Sequence, residues 1–241
     1  MSVEKVLRQT WELYTRFFLR FVLTAAIVFS VLELFSALSE SSFHSRHWAA
    51  AVLWGVATVL IWIVGTFWLQ GALVEVVQDV RDGHADLSIE ELYARVRPLL
   101  PALIAAGFAA TIGVVFGLVL LVVPGLVLLT RWILIVPVIV LEKKSAGDAF
   151  DRSWELVKGS SWPVFGLILL TMVALAVGSS LASILLFPLS ALPLFLATWI
   201  VGTITSSLIA PLVALSWTLT YFELAREQVR PSATMMPPIQ I

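Results

Sequence analysis

The sequence predicts an all-α, polytopic membrane protein with six transmembrane helices. Of its 241 residues, 60% are hydrophobic and 13% are charged, a balance far from that of a soluble domain. Six apolar segments approach or exceed the roughly 20 residues that a helix needs to cross the hydrocarbon of a bilayer. The charged residues fall mainly between these segments. We therefore expect one transmembrane domain over residues 1–225 and a flexible cytoplasmic tail over residues 226–241.

Turn residues separate several of the apolar segments. The first segment is longer than the apolar core of a signal peptide, so we expect an uncleaved membrane helix there. Pro124-Gly125 and the stretch from Pro188 to Pro193 predict tight hairpins between spans three and four and between spans five and six. The six predicted spans are residues 17–38, 48–75, 98–123, 125–141, 162–187 and 192–222.

Positive charges are distributed unevenly across the predicted membrane. Thirteen of the fifteen Lys and Arg residues lie in the two terminal segments and in the segments that follow spans two and four. Of the other two, Arg46 falls on the opposite side and Arg131 lies inside span four. Because positive residues are retained on the cytoplasmic side, both termini are expected in the cytoplasm.

Three of the cytoplasmic segments share a pattern. Each contains Glu-Leu followed by Tyr or Val, ends on Arg or Lys, and precedes a span that runs outward. Ser88 and Glu91 have the spacing of a capping box, which predicts a helix start. The simplest interpretation is three copies of a short cytoplasmic amphipathic helix followed by a transmembrane hairpin, over residues 3–77, 82–141 and 146–225. Alternatively, any helix at a membrane surface needs these residue types in this order.

Small residues recur every four positions in two spans, which favours close helix packing within a bilayer. These stripes predict contacts inside the bundle or, as an alternative, a homodimer interface. The residues are Ala105, Ala109, Gly113 and Gly117 in span three, and Ala174, Gly178 and Ala182 in span five.

Arg131 is the candidate site residue, because an ionisable group inside a span normally has a function or a charged partner. Glu33 is its expected partner, since it lies at a comparable depth in the outer half of span one. The pair is interpreted either as a structural ion pair or as the two sides of a site for an anionic ligand or lipid phosphate. Snorkelling of Arg131 to the outer surface is the third possibility.

No catalytic residues, metal site or cofactor motif are predicted. The chain has no cysteine and lacks the HExxH, GxSxG, P-loop and dinucleotide-binding patterns. His44 and His47 have i, i+3 spacing but lack a carboxylate shell, which is typical of a solvated loop. The basic clusters are short and mixed with acids, so nucleic-acid binding is not expected.

One combination of short motifs resembles a known family. The motifs are Val123-Pro124-Gly125, Arg131, Pro137 and Glu142, followed by residues 152–159. Over about residues 8–225 the chain resembles a group of bacterial six-helix membrane proteins, similar to the membrane domain attached to some glycerophosphoryl diester phosphodiesterases. The resemblance implies a six-helix fold in the bacterial cytoplasmic (inner) membrane. It implies no catalysis, because the phosphodiesterase barrel with its metal ligands is absent.

The functional hypotheses follow from these points. The first is a non-enzymatic membrane protein that associates with membrane lipids or assists another membrane protein, such as an enzyme or exporter. The second is a small transporter or channel subunit, which the repeats, Pro137, Pro211 and Arg131 favour. An intramembrane enzyme is disfavoured, because the sequence offers no nucleophile, metal set or acid–base pair.

Overall fold

The computed structural model describes residues 2–43, 48–81, 83–185 and 187–234. Within these ranges the chain folds into α-helices joined by turns and two short 3₁₀ segments, Arg97–Leu99 and Phe187–Ala191. His44, Arg46, His47 and the end of the predicted tail, 235–241, lie outside the described residues. The helices are α1 Val3–Arg16, α2 Phe18–Phe43, α3 Trp48–Val80, α4 Ile89–Val96, α5 Leu100–Leu120, α6 Val122–Trp132, α7 Ile135–Glu142, α8 Ala146–Val157, α9 Ser161–Leu185 and α10 Leu194–Thr234.

Six helical stretches within the described part of the chain are long and apolar enough to cross a membrane. The predicted class and number of spans are therefore confirmed. Two stretches combine two helices each, α4 with α5 and α6 with α7. The stretches are Phe18–Ser39, Val52–Val80, Ile89–Leu120, Val122–Glu142, Ser161–Leu181 and Phe195–Gln228. α10 continues to Thr234, nine residues past the predicted end of the domain at residue 225.

The turn between α5 and α6 lies earlier than the sequence suggested. The chain reverses at Leu121, whose backbone is extended, and Pro124 and Gly125 lie in the first turn of α6. A proline is tolerated there, because the first N–H groups of a helix have no partner within it. Gly125 is required by close packing, since a Cβ atom on it would lie 2.5 Å from the backbone nitrogen of Leu118.

The fourth span is broken in the middle. α6 ends at Trp132 and α7 begins at Ile135, with a turn between them. Pro137 explains the break, because it has no N–H to donate to the carbonyl of Ile133 and its ring crowds that carbonyl. The two halves of this span can therefore point in different directions and contact different neighbours.

The long helices pack around two clusters of buried apolar side chains. α2 packs along α3 and α10 around Phe21, Leu32 and Leu215, and α7 packs on α3 and α8 around Leu134 and Ile139. Large apolar side chains also cover the outside of the bundle. Val119, for example, is 78% exposed. Such a surface suits hydrocarbon as its solvent.

Three short helices, α1, α4 and α8, precede α2, α5 and α9. Each begins with a serine whose hydroxyl accepts the N–H of the third residue of the helix, an N-cap that stabilises a helix start. At Ser88 the Glu91 carboxylate also accepts the backbone N–H of Ser88, so the predicted capping box is confirmed. Each helix buries one face against the long helices and exposes its charged face. The serines are Ser2, Ser88 and Ser145.

Candidate functional site

Ion pairs cluster where the short helices meet the ends of the long helices, a region here called the ionic end. Lys5 of α1 lies 2.9 Å from Glu223 of α10, and Arg20 of α2 lies 2.5 Å from Asp79 of α3. Each pair joins two helices, so it fixes their relative position as well as satisfying charge. The ionic end is defined by Lys5, Arg20, Glu75, Asp79, Arg95, Glu142, Lys143, Arg152 and Glu223.

Two carboxylates organise this end. Glu75 is 3% exposed and lies 3.1 Å from the Lys143 ammonium and 3.9 Å from the Arg95 guanidinium. Glu142, the last residue of α7, accepts hydrogen bonds from Arg152 of α8 and from the hydroxyl of Tyr221. A buried carboxylate is stable only when cations and donors compensate for its lost hydration. These two residues therefore fix α4 and α8 against the bundle.

Arg131 is bound to α8. Its Nη1 donates to the carbonyl of Trp154 at 3.3 Å, and its guanidinium lies 4.8 Å from the centre of the Trp154 ring. The hydroxyl of Ser153 donates to the backbone carbonyl of Arg131 at 2.7 Å, so the backbone is attached to the same helix. Because α8 also carries Arg152 of the ionic end, Arg131 belongs to the ionic side of the bundle.

Glu33 lies in a different place, between α2 and α10. One of its oxygens accepts a hydrogen bond from Ser206 at 3.1 Å. The carboxylate packs on Gly202, where a Cβ atom would lie 2.6 Å from its second oxygen. Nearby, the indole N–H of Trp199 donates to the carbonyl of Ser30 and joins the same two helices. Glu33 therefore has a neutral polar partner within the bundle.

Within the described part of the chain, Arg131 and Glu33 do not form a direct ion pair. The direct pairing expected from the sequence is therefore wrong. The depth assigned to Arg131 assumed a straight fourth span starting near Gly125. The break before Ile135 instead lets α6 end beside α8, where Trp154 offers a carbonyl and a ring face. Whether either residue binds a ligand remains a prediction.

A groove of about 390 Å³ lies beside Arg131, between α6 and the start of α9. Among the described residues that line the groove, Arg131 is the charged one. Trp162, which is 84% exposed, lines the same groove. A guanidinium has five N–H donors, and the structure pairs one of them, with Trp154. The other lining residues are Val123, Leu126, Val127, Thr130, Ser161 and Phe165.

Sequence reasoning identified Arg131 but missed this groove. In the sequence, Trp154 and Trp162 are separate aromatic residues, and their common neighbour Arg131 becomes visible only in the fold. A sequence signal existed, because the last turn of α8 and the first turn of α9 place one tryptophan on each side of a short connection. Among the described residues, no group of three or more His, Asp and Glu side chains could hold a metal ion.

These features define the class of the protein, a polytopic α-helical integral membrane protein. A sequence model of the membrane domain of glycerophosphoryl diester phosphodiesterase matches residues 99–227, more than half of the chain. The chain belongs to this family, as its motifs suggested. The matched region contains Arg131 and both walls of the groove, but the membrane domain alone does not show catalysis. No curated protein and no solved structure matches the chain.

Proposed function

We propose that this protein is a non-enzymatic, lipid-associated membrane module and that the groove beside Arg131 binds an anionic phospholipid. One observation carries the proposal: a guanidinium with unused donors lies at an otherwise largely apolar groove on the outside of the bundle. An arginine next to hydrocarbon without a counter-charge costs up to a few kcal/mol on insertion scales. A bound anion would remove much of that cost.

A phospholipid matches both parts of the groove. Its phosphate would accept paired hydrogen bonds from the Arg131 guanidinium, for which arginine geometry is well suited. Its acyl chain would lie against Leu126, Val127 and Phe165. Trp162 would lie at the level of the headgroups, where an indole has both apolar and polar surroundings.

The proposed orientation places the ionic end in the cytoplasm of a bacterial cell. The positive-inside rule supports this, because the Lys and Arg residues concentrate on that side. In this orientation α1, α4 and α8 are interfacial amphipathic helices whose charged faces contact water or headgroups. Both chain termini are then cytoplasmic.

We also retain the three-repeat architecture as a proposal. When Glu12, Glu91 and Glu155 are aligned, the caps of α1 and α8 fall at the same place, ten residues upstream at Ser2 and Ser145. The cap of α4, Ser88, falls only three residues upstream. The middle copy would therefore have a shortened surface helix.

A transporter or channel subunit is the second candidate function, favoured by the broken fourth span. Discontinuous helices often line substrate sites in transporters. A cavity of about 380 Å³ adjoins the break and is lined by Pro137, Thr66, Gln70 and Trp217 among others. Its few polar groups and the lack of a charged residue in its described lining make it the weaker candidate. Uptake by reconstituted vesicles would favour this function.

Native mass spectrometry of the detergent-purified chain tests the lipid proposal. Wild type should retain an anionic phospholipid, and Arg131→Gln should lose most of it. Arg97→Gln is the control, because Arg97 is exposed and does not line the groove. Val127→Trp fills the groove while leaving Arg131 intact, so it should also displace the lipid. Equal retention by all four proteins would refute the proposal.

A further inference from the structure

A second cluster of positive charge lies at the ionic end, away from the Arg131 groove. Arg16 at the end of α1, Arg81 just after α3 and Arg226 on α10 line a single cavity of about 300 Å³. We call this cavity the arginine pocket. Its remaining lining residues are Gln9, Glu12, Leu13, Leu219, Phe222 and Glu223.

The carboxylates of the arginine pocket are already engaged with other cations. Glu223 binds Lys5 through both carboxylate oxygens at 2.9 Å. Glu12 lies 3.8 Å from Arg8, one turn away on the same helix. These two acids are therefore not the main counter-charges of the pocket arginines.

None of the three arginines forms an ion pair with a carboxylate in the described part of the chain. Arg16 donates to the carbonyl of Gly83 at 3.3 Å, and Arg81 stacks over the ring of Phe222 at 4.1 Å from its centre. Arg226 forms no hydrogen bond to any described residue. Three like charges around one cavity repel each other, so an anion between them would be stabilised.

The arrangement is also partly preorganised for an anion. The Gly83 carbonyl orients Arg16, and the Phe222 ring orients Arg81, which lowers the entropy that binding would cost. An adjoining cavity of about 700 Å³ shares Arg81, Arg226 and Glu223 with the arginine pocket and adds Glu227 and Lys5, which is paired with Glu223. The ligand can therefore be larger than a single inorganic ion.

We propose that the arginine pocket binds a phosphate monoester. Three guanidiniums match an anion with more than one negative charge, and a phosphomonoester carries about −1.5 to −2 at pH 7. A phosphodiester carries a single charge and has fewer free oxygens to accept hydrogen bonds. The monoester can belong to a lipid headgroup at the membrane surface or to a soluble compound, since the pocket lies where the short helices meet the span ends.

Full-length protein in nanodiscs of zwitterionic lipid is the material for the test. In one arm, glycerol 3-phosphate is titrated and binding is followed by microscale thermophoresis. In the other arm, nanodiscs contain phosphatidic acid, a monoester, or phosphatidylglycerol, a diester, and bound lipid is measured after exchange. Arg226→Gln is the main variant, because no hydrogen bond or ion pair joins Arg226 to another described residue. Arg97→Gln is the matched control.

We expect wild type to prefer the monoester and Arg226→Gln to weaken its binding about tenfold, the size of one charge-assisted hydrogen bond. Arg81→Gln should have a similar effect, and Arg97→Gln should have none. Arg131→Gln should leave glycerol 3-phosphate binding unchanged, and the lipid arm uses proteins that carry Arg131→Gln, so that lipid bound at the groove does not contribute. Binding of glycerol 3-phosphate identifies a soluble ligand, and binding of phosphatidic acid alone identifies a lipid. If Arg226→Gln weakens the binding of neither probe, or if phosphatidylglycerol binds as well as phosphatidic acid when Arg131 is replaced, the proposal is wrong. Because Arg131→Gln is included, failure of this site is distinguishable from failure of the groove.

Discussion

The two ends of the bundle are held together by different forces. At the ionic end, charged side chains from different helices meet, as Lys5 meets Glu223 and Arg152 meets Glu142. At the other end, here called the hairpin end, the turns at residues 121–125 and 187–193 contain no charged residue. There the backbones themselves come close, since a Cβ atom on Gly117 would lie 3.0 Å from the Cα of Gly125.

This difference follows from the residues that each end offers. Exposed parts of an ion pair can be solvated, and the short helices bring charged residues from several elements together. The residues that lead into and out of the turn after α5 carry no charge, so close van der Waals contact between small residues holds the helices together there. Substitutions should therefore act through steric overlap at the hairpin end and through charge at the ionic end.

The largest expected effect is at the hairpin end. Gly125→Ala places a methyl group against the backbone of Leu118, which must move because backbone cannot rotate away. We expect a loss of about 3 kcal/mol, the upper range for overpacking, measured as thermal unfolding in detergent. Gly166→Ala is the control, because no atom lies within 4 Å of its added Cβ and alanine favours the helix. Equal stability of the two variants would contradict the steric account of this end.

An intermediate effect is expected from the buried carboxylate of the ionic end. Replacing both Arg95 and Lys143 with glutamine leaves Glu75 buried without its cations, which should cost about 2 kcal/mol. Glu75→Gln should cost less, because the two cations are about half exposed and can turn to water. Replacing Glu75 together with both cations should recover part of the lost stability, measured by chemical unfolding. If it loses as much as the double replacement, charge is not the main stabilising force there.

The smallest effects concern the attachment of α1. Tyr14 is 6% exposed and donates to the carbonyl of Leu208 at 2.8 Å, so Tyr14→Phe should cost about 1 kcal/mol. The partly exposed Lys5–Glu223 pair should matter less, with Lys5→Gln costing about 0.5 kcal/mol.

Burial raises the pKa of Tyr14 to about 12 from its ordinary 10.0. Because the raised pKa favours the neutral phenol in the fold, the stability difference from Tyr14→Phe should shrink as the pH rises from 10 towards 12. A salt-sensitive Lys5 effect larger than that of Tyr14→Phe would reverse this ranking.

The span count could be predicted from sequence because length and hydropathy decide it locally. The start of α4 was equally local, since Ser88 and Glu91 lie within one turn. The stripe in span three is partly explained inside the chain, because Gly113 packs on Trp132 and Gly117 packs on Gly125. A homodimer remains a prediction.

The sites could not be predicted in the same way. Pro137 was visible, but whether a proline bends or breaks a span depends on the contacts available to the two halves. Here α8 offers the end of α6 a carbonyl and a ring face at Trp154, so Arg131 contacts α8 and not Glu33. The arginine pocket combines Arg16, Arg81 and Arg226, which are far apart in sequence and meet only when α1 and α3 pack near the same end of α10.

The length of α10 has a consequence for how the protein lies in a bilayer. Its 41 residues make a helix of about 60 Å at 1.5 Å per residue, about twice the roughly 30 Å of hydrocarbon in a membrane. Tilt alone accommodates only part of this excess. The later turns of α10 therefore extend out of the hydrocarbon, and they carry Glu223, Arg226 and Gln228 with them. α1 and α8 both contact α10, so a helix that is longer than the hydrocarbon is thick gives the short surface helices a common support.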